Sequence, residues 1–269
     1  MKLFSTTCLA LTVLATTAYA DTCATGKTLT DSKLTIATGN PAYYPWVMDD
    51  APESGQGFEA AVAYAVAQEM GFDQGDVVWV RSSFDEAIQP GAKNFDVNIQ
   101  QYSITPERDQ VVDFSKPYYT APMAVLVGPG AVDTPATMAA LKSLQWGAVG
   151  STTAVPKLDK VVQPTKAPLL YGDNADVNAA LSANQIDGAL FDLPTALFLS
   201  AVMIAGSKVI GQFAPDSGDN PDQFGMLMEE GNPLKECVDQ ALDALGENGT
   251  LAKIEAQWLQ DTTGVPLIQ

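Results

Sequence analysis

Histidine is absent from the 269 residues, and arginine occurs only at Arg81 and Arg108. Without imidazole there is no Ser-His-Asp or Cys-His catalysis and no histidine metal site. The three cysteines form no C-x-x-C pair and no cluster, which argues against thiolate metal and dithiol redox chemistry. No metal or cofactor is expected. Lysine and arginine total 14 against 32 aspartates and glutamates, a net charge of -18. Nucleic acid and anionic membrane surfaces need clustered basic side chains, so neither is an expected partner. Apolar runs are short as well. One of them, ALFLSAVMIAG, falls well below the ~20 residues of a membrane helix and reads as a core helix.

What is present starts with MKLFSTTCLALTVLATTAYA. Lys2 is the charged start, Leu9 to Leu14 lie in an apolar stretch, and Ala18-Tyr-Ala20 fits a small-x-small cleavage site. Residues 1–20 therefore read as a secretory signal peptide, with a soluble exported protein beginning near Asp21 in the periplasm. Cys8 and Cys23 do not sit in a lipoprotein box. Cys23 and Cys237 survive cleavage, and an oxidising compartment permits a disulfide between them. Such a bond would close a very long loop and stabilise by up to about 5 kcal/mol. Two free or buried thiols are the alternative.

Hydrophobic content of 46% supports a packed core. Residues 34–39 read as a strand, 57–71 as a helix with Phe58, Val62, Val66 and Met70 at helical spacing, 77–80 as a strand, 84–88 as a short helix and 95–99 as a strand. Strand alternating with helix points to a parallel sheet. The same grammar returns from 123 to 213, followed by a strand at 224–228 and two helices. The expected fold class is α/β with two lobes, residues 21–120 plus 218–269 and residues 121–217, and a ligand cleft between them. A monomer is expected.

Arg108 lies in SITPERDQVVDFSKPYY (103–119). Thr105 is a good N-cap and Pro106 a good first helical residue, which predicts Arg108 in the first turn of a helix directly after a buried strand. Ligands collect at the carboxyl ends of strands in open α/β sheets. A guanidinium there, beside free backbone N–H groups and the Ser103 hydroxyl, makes a carboxylate or phosphate site. The plainer alternative is a surface arginine paired with Glu107 or Asp109.

The runs GFEAAVAYAVAQEMG, SFDEAIQPGAKNFDVNIQQYSITPERDQVVDFSKPYY, GSTTA and IDGALFD, in this order, resemble the family 3 solute-binding proteins of amino-acid ABC transporters from about Leu34 to Trp258. The resemblance implies that Arg108 grips a ligand α-carboxylate, with Ser103 and Thr152 as further donors. It implies that Asp192 receives the α-ammonium together with the Gln101 backbone carbonyl, and that Tyr43 and Phe84 sandwich the carbon chain. Asn40 stands where members that select cationic side chains often carry an acid, so it argues against tight binding of lysine or arginine. Gln100 and Gln101 replace small residues, which narrows the pocket or makes it more polar. A neutral polar or modestly apolar amino acid is the expected ligand. The plainer reading of Asp192 is a helix N-cap before Pro194, and of Tyr43 and Phe84 ordinary packing.

The resemblance also implies delivery to an inner-membrane ABC permease. Two alternatives stay open: a sensing module acting through a receptor partner, and a cyclohexadienyl dehydratase-like enzyme for which Glu59 and Asp192 are the available acids.

Overall fold

Short apolar strands alternating with helices build two mixed five-stranded sheets. The structure is a computed structural model that describes residues 23–214, 222–259 and 264–269. The signal segment expected at 1–20 and the start near Asp21 lie outside them. The strands are β1 (Leu34–Thr38), β2 (Val77–Arg81), β3 (Val97–Asn98), β4 (Asp113–Ala121), β5 (Met123–Val127), β6 (Trp146–Val149), β7 (Leu169–Tyr171), β8 (Gly188–Asp192), β9 (Lys208–Gln212) and β10 (Asp222–Met228). The helices are α1 (Phe58–Glu69), α2 (Phe84–Ala87), α3 (Met138–Leu141), α4 (Ala154–Lys157), α5 (Asn174–Ser182), α6 (Leu193–Phe198), α7 (Lys235–Glu247) and α8 (Thr250–Trp258).

The first sheet runs β2-β1-β3-β10-β4 and the second β7-β6-β8-β5-β9. Each has a parallel trio, β2-β1-β3 and β7-β6-β8, extended by two strands in antiparallel pairing. The parallel trio of the first sheet is the one that strand alternating with helix points to, and β10 returns from late in the chain to lie between β3 and β4 and makes the sheet a mixed one. Strand β4 is not among the expected strands, and it carries Pro117, which cannot donate to a ladder. It is tolerated there because β4 is an edge strand.

Helices cover both faces of each sheet, so the inner strands β1, β5 and β6 are buried along their whole length. In the first lobe, α1 and α7 pack Phe58, Val62, Val66, Val238 and Leu242 against Ile36, Val97 and Met226. Apolar side chains of α7 at Cys237, Val238, Ala241, Leu242 and Leu245 form one stripe. Entry to α1 depends on Gly57, which has φ 105° and would bring a Cβ within 2.5 Å of the Trp46 carbonyl oxygen. In the second lobe, the two faces bury Trp146, Leu158 and Leu141 on one side and Leu126, Leu181 and Phe191 on the other.

The chain crosses between lobes from β4 to β5, with Pro122 between them, and returns from β9 to β10. A disulfide joins Cys23 to Cys237 in α7, with Cα atoms 5.7 Å apart. The C-terminus departs from the expected boundary of 218–269. Residues 266–269 pack on the second sheet, where Gln212 N–H donates to Pro266 O (2.9 Å) and Ile268 N–H donates to Gln212 O (2.9 Å). They satisfy backbone groups of β9 that would otherwise form an open edge. Among the described residues no helix is long and apolar enough to cross a membrane.

Candidate functional site

The parallel strands of both lobes point their carboxyl ends at one cleft. Residues after β1, β3, β6 and β8 line a cavity of about 350 Å³. That lies toward the lower end of the ~300–1,000 Å³ of small-ligand pockets. Arg108, Gln101, Ser103, Tyr43, Phe84, Asn40, Thr152 and Asp192 all stand on its wall, and so do Gln100, Thr153 and Asp222.

Arg108 is held by a single 3-10 turn, Arg108–Gln110, rather than the α-helix expected. The residue that caps this turn is Glu107 and not the expected Thr105, although the Arg108 amide still donates to Thr105 Oγ1 at 3.2 Å. The turn follows β3 at a distance of several residues, because residues 100–105 run as irregular backbone from which Gln100, Gln101 and Ser103 line the cavity. The guanidinium donates from Nη1 to Ser103 O and from Nη2 to Ser151 O, each at 2.8 Å. These carbonyls belong to opposite lobes. The guanidinium also lies 5.3 Å from the centre of the Phe84 ring, a cation–π distance. Burial lowers its pKa, while Tyr102 and Asp222 act the other way. The other arginine, Arg81, does scaffolding work. It donates to Gly39 O (2.8 Å) and pairs with Asp50 (2.5 Å), fixing the loop that carries Asn40 and Tyr43.

Asp192 ends β8 and is also the N-cap of α6, accepting from Thr195 N–H at 2.8 Å. A cap uses one carboxylate oxygen, so the capping role and a place on the cavity wall coexist. Burial pushes its carboxyl up to about 6, against the pull of the Thr195 amide and hydroxyl. Tyr43 is half-buried at the mouth. Its phenol is raised by burial and then by Asp173 of the facing lobe. Phe84 stacks on Tyr102 with ring centres 4.5 Å apart, and the Tyr102 hydroxyl donates to Gln100 Oε1 at 3.0 Å.

Thr152 turns its hydroxyl onto Val149 O at 2.8 Å, and its amide onto the same carbonyl. Thr153 and Ser103 instead direct their hydroxyls at Asp222, whose carboxyl burial raises and these donors, Lys157 and Arg108 lower. Asp222 and Thr153 are site residues that sequence reasoning missed. Asp222 sits twelve residues after Ile210, in a stretch with no motif, and only the pairing of β10 with β4 brings it to the cleft.

The lobes meet directly. Trp46 Nε1 donates to Thr195 Oγ1 at 2.9 Å, and the rings of Tyr44 and Phe198 lie 4.5 Å apart. Together with the Arg108 to Ser151 bond, these contacts hold the cleft in a closed arrangement.

Two α/β lobes joined at a hinge, with a guanidinium from one and a carboxylate from the other facing the same enclosed space, define a two-lobed ligand-binding protein. The sequence assigns it more narrowly. The chain belongs to the bacterial extracellular solute-binding proteins, family 3, whose profile matches residues 34–261. It is 28% identical over 211 residues to the ABC transporter arginine-binding protein 1 of Escherichia coli K12, covering 75% of this chain and 81% of that protein. It is 27% identical over 207 residues to the L-cystine-binding protein TcyJ of E. coli K12, covering 75% and 73%. Among solved structures, an ancestral arginine-binding protein bound to arginine superposes with a TM-score of 0.69 at 26% identity, over 85% of this chain and 99% of that one. An ancestral arginine-binding protein bound to glutamine gives 0.70 at 26% identity, over 85% and 98%.

Proposed function

We propose that the protein captures a free α-amino acid between its lobes and presents it to an inner-membrane ABC permease. The observation that carries this reading is the opposition of Arg108 and Asp192 across one cleft. A zwitterion needs a cation and an anion a few ångströms apart, because either charge buried alone is costly. Arg108 takes the α-carboxylate, and Ser103 joins it by turning its hydroxyl away from Asp222. Asp192 and the Gln101 carbonyl take the α-ammonium, and Tyr43 and Phe84 flank the carbon chain. Thr152 shapes the anion end through its turn, since its own donors are committed to Val149 O.

Charge favours a ligand with a basic side chain. Asp85, Asp173, Asp192 and Asp222 line the cavity against Arg108, so a net cation balances it better than a neutral zwitterion. This departs from the preference for a neutral side chain drawn from Asn40. The named relatives that bind arginine support it. Binding without covalent chemistry, export through the signal segment and action as a periplasmic monomer complete the reading.

The experiment is a thermal-shift screen of the ligand-stripped protein against the twenty amino acids. A ligand that binds only the folded state raises the melting temperature by mass action. A shift confined to basic amino acids supports the whole proposal. A shift with neutral ones keeps the zwitterion site and removes the charge preference. No shift with any α-amino acid refutes the reading.

A further inference from the structure

Glu59 is the most deeply buried carboxylate of the first lobe, with 0% of its surface exposed. It lies in the first turn of α1, behind the cavity wall rather than on it. Three donors converge on it. Gln101 N–H donates to Oε1 at 2.7 Å, Gln101 Nε2 donates to Oε2, and the Tyr118 hydroxyl donates to Oε1. Gln101 itself has φ 50°, a left-handed backbone that a residue with a side chain adopts at a cost. One carboxylate therefore grips Gln101 through both its backbone amide and its side chain, and so offsets that cost.

We propose that Glu59 is a positioning residue for the ammonium end of the cleft: as an anion it locks Gln101 in the left-handed turn on the cavity wall. The proposal rests on the amino-acid reading of the site, in which the Gln101 carbonyl shares the ligand ammonium with Asp192. Its second half concerns protons. The titratable groups facing Glu59 are Tyr118 of β4, Tyr102 after β3 and Asp192 at the end of β8. Burial pushes the Glu59 carboxyl up to about 7, the three donors pull it down, and Asp192 raises it further. Tyr118 is held well above its usual range, so it stays a donor. Glu59 and Asp192 thus form a buried like-charged pair that an arriving ammonium stabilises in its ionised form. At neutral pH, binding expels a proton from this pair to solvent.

A protonated Glu59 must donate from Oε2, where Gln101 Nε2 also donates. The Gln101 amide then has to flip or let go. Acid therefore loosens Gln101 and weakens binding.

The test is calorimetric titration of the mature wild-type protein with L-arginine and L-glutamine, then the other L-amino acids, at pH 8, 7 and 6. Two buffers of different ionisation heat are used at each pH. About half a proton released per ligand at pH 7 is expected, and Kd should rise about tenfold from pH 8 to pH 6. Glu59→Gln keeps one carbonyl oxygen for the Gln101 amide and Tyr118, while the flipped Gln101 amide accepts from its new NH₂. This variant stands in for the protonated acid, so it should bind at pH 8 about tenfold more weakly than wild type, release almost no proton at pH 7, and hold that weaker Kd nearly flat to pH 6. A purely structural role would shift its melting temperature and leave the proton count and pH profile unchanged. Tight binding by the wild type with no proton release overturns the proposal alone. No binding of any amino acid at any pH overturns the amino-acid reading and this proposal with it. The wild-type proton count decides the matter even if Glu59→Gln does not fold.

Discussion

Replacing Arg108 with alanine tests the site most directly. The guanidinium makes two hydrogen bonds at 2.8 Å to backbone carbonyls of opposite lobes, and it keeps further N–H groups for the cavity. Losing the cation leaves a ligand carboxylate buried without its partner, at a cost of about 3–5 kcal/mol. At about 1.4 kcal/mol per decade, Kd rises by roughly 10²- to 10³-fold or more. The two carbonyl bonds are charge-assisted, about 1.5–3 kcal/mol each. The Ser103 bond supports the first lobe, whereas the Ser151 bond supports closure alone. Arg108→Lys keeps the charge but cannot reach both carbonyls, so it should fall between wild type and alanine. Calorimetry gives Kd, and far-ultraviolet circular dichroism shows whether the fold persists. An alanine variant that folds and binds an amino acid within threefold of wild type would refute the role given to Arg108.

Trp46→Phe removes the indole donor to Thr195, worth about 1 kcal/mol. Ligand affinity should fall about fivefold, and X-ray scattering should show a more open molecule; unchanged affinity would mean that this bond does not govern closure. Replacing Cys23 and Cys237 by serine reopens a loop of 214 residues of sequence separation, which the chain-entropy relation values at about 5 kcal/mol. Denaturant unfolding should show a large loss of stability, while affinity stays unchanged because neither cysteine touches the cleft. For the ligand-free protein, Glu59 and Asp192 hold protons to about pH 7 and about 6 when folded, above their values in the unfolded chain. The folded state then binds more protons between about pH 4 and 7, so stability rises as pH falls through that window. Each kcal/mol recovered raises the melting temperature by about 2–4 °C; a melting temperature that falls steadily from pH 7 to pH 5 contradicts the assignment.

Much of this arrangement was legible in residue order. The apolar run of α1, the glycine stop after it and the buried strands β5 and β8 follow from periodicity and breakers alone. Thr105 and Pro106 marked the turn at Arg108, although its extent was overestimated, since one 3-10 turn suffices before Val111 and Val112 lead into β4. What escaped depends on distant pairing. Asp222 reaches the cleft only because β10 lies beside β4, and the last residues join the second lobe only because β9 offers an unpaired edge. The left-handed Gln101 escaped as well. A glutamine carries no such signal, and the buried acid that stabilises the turn lies 42 residues earlier in sequence.

The Cys23–Cys237 bond has a topological consequence. Both cysteines belong to the first lobe, so in covalent terms the second lobe, apart from residues 266–269, is a side loop spliced into a closed ring. A single backbone cut anywhere between residues 23 and 237 leaves both pieces in one molecule until the disulfide is reduced. If the chain is exported from its N-terminus, the bond can form only late, because the chain must emerge as far as α7 before the second sulfur is available. A nicked protein would run at full mass on a non-reducing gel and as two fragments on a reducing one, with its cleft still assembled.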